Sequence, residues 1–156
     1  MGRITRALRK FYKTSLKVKA SLIVMALLLL PLYYYVPWFH GYEVRGGQTI
    51  YHAVTGDQIA QFMHVASAFT GGAVEEPPIV YFKYIPIAII VGLLIRMGWI
   101  AILADLIGLY TLYDTYNLVN ELKDKNSNVE LGIGFIATAI LLLAILIIII
   151  DKEEIL

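Results

Sequence analysis

"IVGLLIRMGWIAILADLIGLY", residues 90–110, sets Arg96 and Asp105 inside sequence that is otherwise as apolar as a lipid-facing helix. Extended by its apolar flanks from Ile79 to Val119, it would form a helix about 60 Å long at 1.5 Å per residue, twice the hydrocarbon thickness of a bilayer. A single span cannot hold it. Breaking it at "RMGW", 96–99, yields one span at 79–95 and another at 100–119, each long enough to cross. The break residues suit an inner interface: Arg96 reaches headgroups, Gly98 accepts a left-handed turn and Trp99 prefers the interfacial layer.

The alternative is three spans, with one helix near 84–104 followed by an inner amphipathic helix. It buries Arg96 at a cost of at least about 2.5 kcal/mol. The hairpin is favoured by the pattern of 101–115, where Ala101, Ala104, Asp105, Gly108, Thr111 and Thr115 fall within about a third of the helix circumference. Small residues and hydroxyls on one face make a packing seam between helices in lipid.

Outward from this hairpin, 131–150 is an uncharged apolar run and reads as the last span. Its Gly134, Ala137, Thr138 and Ala144 form a second small-residue cluster. The first span is 18–39, interrupted by Pro31 and closed by Tyr33, Tyr34, Tyr35 and Trp38, which read as an interfacial aromatic belt rather than a signal-peptide cleavage site. Segments 40–78 and 120–130 become outer loops and 151–156 a cytoplasmic tail. The expected fold is thus all-α: a four-transmembrane-helix up-and-down bundle with a long first extracytoplasmic loop.

Composition agrees with a multi-pass protein of the cell membrane: of 156 residues 59% are hydrophobic and 16% charged, and the mean hydropathy is +0.71. The absence of cysteine excludes disulfides and thiol chemistry. Positive charge gathers at the amino end, where Arg3, Arg6, Arg9, Lys10, Lys13, Lys17 and Lys19 precede any acidic residue. This orients the amino terminus to the cytoplasm. Residues 1–17 read as a basic amphipathic arm on anionic headgroups, with nucleic acid as the lesser reading. Richness in Ile and Tyr points to a thermophilic prokaryote.

Within 40–78, Gly46 and Gly47 mark a turn that a short extended piece follows, and Asp57 is the expected N-cap of a short helix over 58–70. Its stripe is Ile59, Phe62, Met63, Ala66 and Phe69, which predicts a cap laid on the spans or the interface. His40, His52 and His64 lie in the same segment with Glu43, Asp57, Glu75 and Glu76. They are candidate metal ligands by residue type, yet none has the close spacing of a specific motif, so no metal or other cofactor is expected. No phosphate loop, nucleophile with a base or metalloprotease motif is present, and catalysis is not expected.

Four spans, a long first outer loop, a tight inner turn, a short second outer loop and inner termini resemble the claudin-type tetraspan layout. The loop carries "HGYEVRGGQ" and no cysteine pair, so the resemblance extends to layout and transfers no residue or role. The function expected is that of a structural or accessory subunit of a membrane or envelope assembly, as a homo- or hetero-oligomer. A transport or pore subunit is the second possibility, with Asp105, Gly108, Thr111 and Thr115 as packing seam or polar path. A metal-binding outer loop is the third.

Overall fold

The computed structural model describes residues 2–73, 75–122 and 127–151. It contains α1 (Gly2–Tyr34), β1 (Pro37–Arg45), β2 (Gln48–Thr55), α2 (Gly56–Phe69), a 3₁₀ helix (Pro78–Tyr84) running directly into α3 (Ile85–Leu94), α4 (Gly98–Leu122), β3 (Ser127–Leu131) and α5 (Ile133–Asp151). The chain is mostly helical. The four long elements pack in a ring, α1 on α3, α3 on α4, α4 on α5 and α5 back on α1. Direction alternates around that ring: the end of α1, the start of the 3₁₀ helix and the start of α5 lie at one end, where Tyr33 donates to the Ile79 carbonyl and Gly134 abuts Val36.

Between α3 and α4 the chain reverses within three residues. The Met97 amide bonds to the Gly92 carbonyl at 2.9 Å and the Arg96 amide to that of Leu93 at 3.4 Å, the paired closure of a helix C-terminus that needs a left-handed residue. That residue is Arg96, at φ 60°. The expectation that Gly98 takes this role is corrected: Gly98 opens α4. The helices meet closely here, since a Cβ on Gly92 would come within 2.8 Å of the Ala101 amide nitrogen.

The all-α expectation is overturned by a three-stranded antiparallel sheet in the order β2-β1-β3. Within the segment 40–78, expected as a loop with one short helix, the described residues include most of the β1–β2 hairpin as well as α2. Gly46 and Gly47 both have positive φ, 58° and 80°, which is what a two-residue turn matching strand twist demands. The segment 120–130 likewise ends in a strand, pairing β3 with β1 from Phe39↔Leu131 to Glu43↔Ser127. The expected span 18–39 is shortened too: α1 ends at Tyr34, and Pro37, Trp38 and Phe39 belong to β1. A proline restricts the residue before it to extended backbone, so Pro37 sets the helix-to-strand switch.

The expected aromatic belt is in part a buried knot. Tyr33 stacks on Phe82 at 5.3 Å, and Trp38 meets Tyr33, Phe82 and Phe135 edge-on at 5.9, 5.3 and 5.8 Å. Trp38 is fully buried and its Nε1 donates to the Leu32 carbonyl at 2.9 Å, satisfying one of the acceptors that a helix leaves open at its end. Tyr35 by contrast is exposed.

α2 begins directly where β2 ends. Its N-cap is Thr55, not Asp57: Thr55 Oγ1 accepts from the Gln58 amide at 3.2 Å and Gln58 Oε1 from the Thr55 amide at 3.0 Å, a reciprocal capping box. The predicted stripe is split. Ile59 and Met63 are buried and Ala66 is half-buried, whereas Phe62 and Phe69 are exposed, Phe69 at 91%.

Two helices, Leu16–Tyr34 and Ile133–Asp151, are long and apolar enough to cross a membrane, and the apolar stretch Pro78–Leu94 is shorter. Only 22% and 28% of the apolar stretches of these two helices are buried within the molecule, which is not how a core helix of a water-soluble domain sits. Every helix of the ring turns large apolar side chains outward: Val24 and Leu28 on α1, Ile87 and Val91 on α3, Leu103 and Ile107 on α4, Ile140 and Ile147 on α5.

Candidate functional site

Inside the ring the pattern inverts. Ala101, Ala104, Asp105, Gly108, Thr111, Leu112 and Thr115 are all buried along one face of α4, at the three- and four-residue intervals that keep side chains in register on a helix. Gly108 sets the contact with both neighbours: a Cβ there would lie 3.2 Å from Leu142 of α5 and 3.3 Å from Ile85 of α3. Thr111 Oγ1 donates to the Ile107 carbonyl at 2.8 Å, and on α5 Thr138 Oγ1 donates to that of Gly134 at 2.6 Å. These two hydroxyls are satisfied within their own helices.

Asp105 is not. It is 0% exposed, and both carboxyl oxygens, like Thr115 Oγ1, have no hydrogen-bond partner among the described residues. An unpaired buried carboxylate costs several kcal/mol after relaxation, and an unsatisfied polar group about 1 to 3 kcal/mol. Asp105 lies one helical turn from Gly108, toward the α3–α4 turn, so a fixed requirement for a proton, a cation or a donor is built into the bundle.

A second polar cluster lies at the sheet end. His64 Nδ1 on α2 donates to Glu76 Oε1 at 2.5 Å, and the Tyr81 hydroxyl on the 3₁₀ helix donates to Glu76 Oε2 at 2.9 Å. The Tyr81 bond first, and that from His64 second, hold the Glu76 carboxyl below the usual carboxylate range. One carboxylate thus ties α2 to the entry of α3. Beside it opens a cleft of about 290 Å³ that Asp57, Gln61, Lys83 and Tyr84 also line.

The three histidines are not brought together. His40 pairs with Ala53 and His52 with Gly41, so in adjacent strands of alternating side chains the two rings point to opposite faces of the sheet. His40 bonds and stacks with Tyr51, and His64 is engaged with Glu76. No group of three or more potential metal ligands exists among the described residues. The described geometry thus does not gather the three histidines into one ligand set. Of the basic arm, Lys17 is exposed and Lys19 half-buried on α1. The side chains of Arg3, Arg6, Arg9, Lys10 and Lys13, and the tail beyond Asp151, lie outside the described residues.

The Glu76 tie was missed in the sequence because its members are 12 and 5 residues apart and straddle the Pro77–Pro78 pair. Thr55 had a visible signal in "TGDQ", the threonine and glutamine of a capping box. Searches against protein-family models, curated proteins and solved structures found no match.

Proposed function

We propose that the chain is a four-span membrane protein that serves as a structural or accessory subunit of a membrane or envelope assembly, with the sheet and α2 outside and both termini in the cytoplasm. Its inside-out character supports the placement: apolar side chains face outward on all four helices while Asp105, Thr111, Thr115 and Thr138 face inward. Water-soluble monomers do not leave contiguous apolar belts of that extent.

The observation that carries the accessory role is on α2. Phe62, Val65 and Phe69 are all exposed, at 63%, 60% and 91%, and their i, i+3, i+7 spacing makes one stripe. This apolar stripe, on the element that caps the sheet end, is suited to a neighbouring subunit. A photo-crosslinker at Phe62 or Phe69, activated in native membranes, is expected to capture a discrete partner chain. Recovery of uncrosslinked monomer alone would count against the role.

Asp105 supports a second reading, a proton or cation transport subunit, because its carboxyl is buried without a partner and such residues in membrane spans mark conduction paths. In reconstituted vesicles Asp105→Asn would abolish flux with the fold intact. Absence of flux in the unaltered protein removes this reading.

A further inference from the structure

The cleft at the sheet end shares three lining residues with a larger groove. Between the 3₁₀ helix with α3 and the middle of α4 runs a cavity of about 420 Å³, lined by Ile85, Ala88, Ala104 and Ile107 and also by Glu76, Tyr81 and Tyr84. The last three residues also line the polar cleft of about 290 Å³. A polar chamber and an apolar trough thus share one wall.

We propose that this compound site binds one membrane lipid with a zwitterionic, amine-bearing headgroup, its tail in the trough and its head in the chamber. The proposal rests on the membrane placement above. Ala88 and Ala104 leave the trough open where larger side chains would close it, and the adjoining surface carries exposed Ile87, Leu103 and Ile107. The trough is therefore continuous with the apolar belt, where hydrocarbon chains are the ambient occupant.

The chamber selects the head. It holds Asp57 and Glu76 opposite in sign to Lys83, with His64 beside them. A purely anionic head would meet two carboxylates, whereas a head with phosphate and ammonium finds a partner for each. Both Glu76 oxygens are already engaged. Asp57 accepts one bond, at Oδ2 from Gln61 at 2.9 Å, and keeps acceptor capacity for an ammonium. Lys83 holds its ammonium 5.3 Å over the Tyr84 ring, at the shared wall where a phosphate joins head to tail.

The test is native mass spectrometry of the full chain, extracted in mild detergent and offered equal amounts of a phosphoethanolamine and a phosphoglycerol lipid. One phosphoethanolamine lipid per chain is expected to be retained in preference. Ala104→Phe, which fills the trough, is expected to weaken retention of either lipid at least about tenfold. Lys83→Glu, on an exposed side chain, is expected to lower phosphoethanolamine retention by a similar factor. No headgroup preference, or unchanged retention in Ala104→Phe, overturns the proposal. Should Ala104→Phe fail to fold, Lys83→Glu decides alone, and unchanged retention there overturns it. A chain that leaves membranes in alkaline carbonate without detergent defeats the membrane placement itself. A chain that stays in membranes but shows no preference defeats only the lipid site.

Discussion

Arg96 holds a left-handed backbone conformation, φ 60°, that costs a residue with a Cβ about 1 to 2 kcal/mol. Arg96→Gly is therefore expected to raise stability by about 1 kcal/mol, seen as a higher denaturation temperature in mild detergent. A lower temperature would assign the arginine a stabilising role at the hairpin tip. Gly132 works in the opposite sense: a Cβ there would sit 2.3 Å from the Pro37 carbonyl oxygen, and its amide donates to the Trp38 carbonyl at 2.7 Å. Because the obstacle is backbone in the central strand, Gly132→Ala is expected to cost about 2 kcal/mol or more. The same thermal assay checks it, and an unchanged midpoint refutes the tight seat. At this scale the sequence is an uneven guide. "RMGW" advertised a break in an apolar run, but the end of α3 decides which residue turns left-handed, and glycine frequency argued for Gly98. Gly132 carried no local signal, since its crowding comes from a strand nearly a hundred positions away.

Helices were the legible elements, because an apolar run with small residues at three- and four-residue spacing has one economical solution. Strands were not. β1 and β2 expose Tyr42, Val44, Ile50 and Tyr51, so the hairpin lacks the alternation of a half-buried sheet, and only Gly46–Gly47 between Val/Tyr-rich runs hinted at it. β3 exists through its pairing with β1, which no local pattern encodes. Among the elements, α2 and the start of α3 are tied by Glu76, and this tie has a pH dependence of known sign. The folded carboxyl is held below its ordinary range by Tyr81 and then His64. The contribution is therefore present above the ordinary carboxylate range and is lost as pH falls through the lowered value. Hydrogen exchange of α2 amides is expected to quicken as pH falls through that region, once corrected for intrinsic rates, and Glu76→Gln to show fast exchange at neutral pH as well. Equal protection across the pH range would show that α2 is held by its apolar contacts alone.

Across the molecule, the proposed topology makes two joint predictions at positions outside the described residues. A reporter fused after Leu156 is expected in the cytoplasm, and a cysteine replacing Asn126 is expected to react with an impermeant reagent from outside. An externally labelled carboxyl terminus would refute four spans and restore the three-span layout. Hydropathy carried the sequence this far, and the ring of α1, α3, α4 and α5 is compatible with it. The sheet that closes one end had to come from the structure. That sheet divides the molecule mechanically. Because β3 is stitched to β1, the exit of α1 and the entry of α5 are fastened to each other, and the knot around Trp38 locks them further. The α3–α4 hairpin contributes no strand to that stitching; the 3₁₀ helix at its entry is held by Glu76 to α2, by the Tyr33 hydroxyl at the Ile79 carbonyl and by Phe82 in the knot. Strand pairing thus fastens the exit of α1 directly to the entry of α5, whereas the α3–α4 hairpin that bears Asp105 is held to them by helix packing and side-chain contacts.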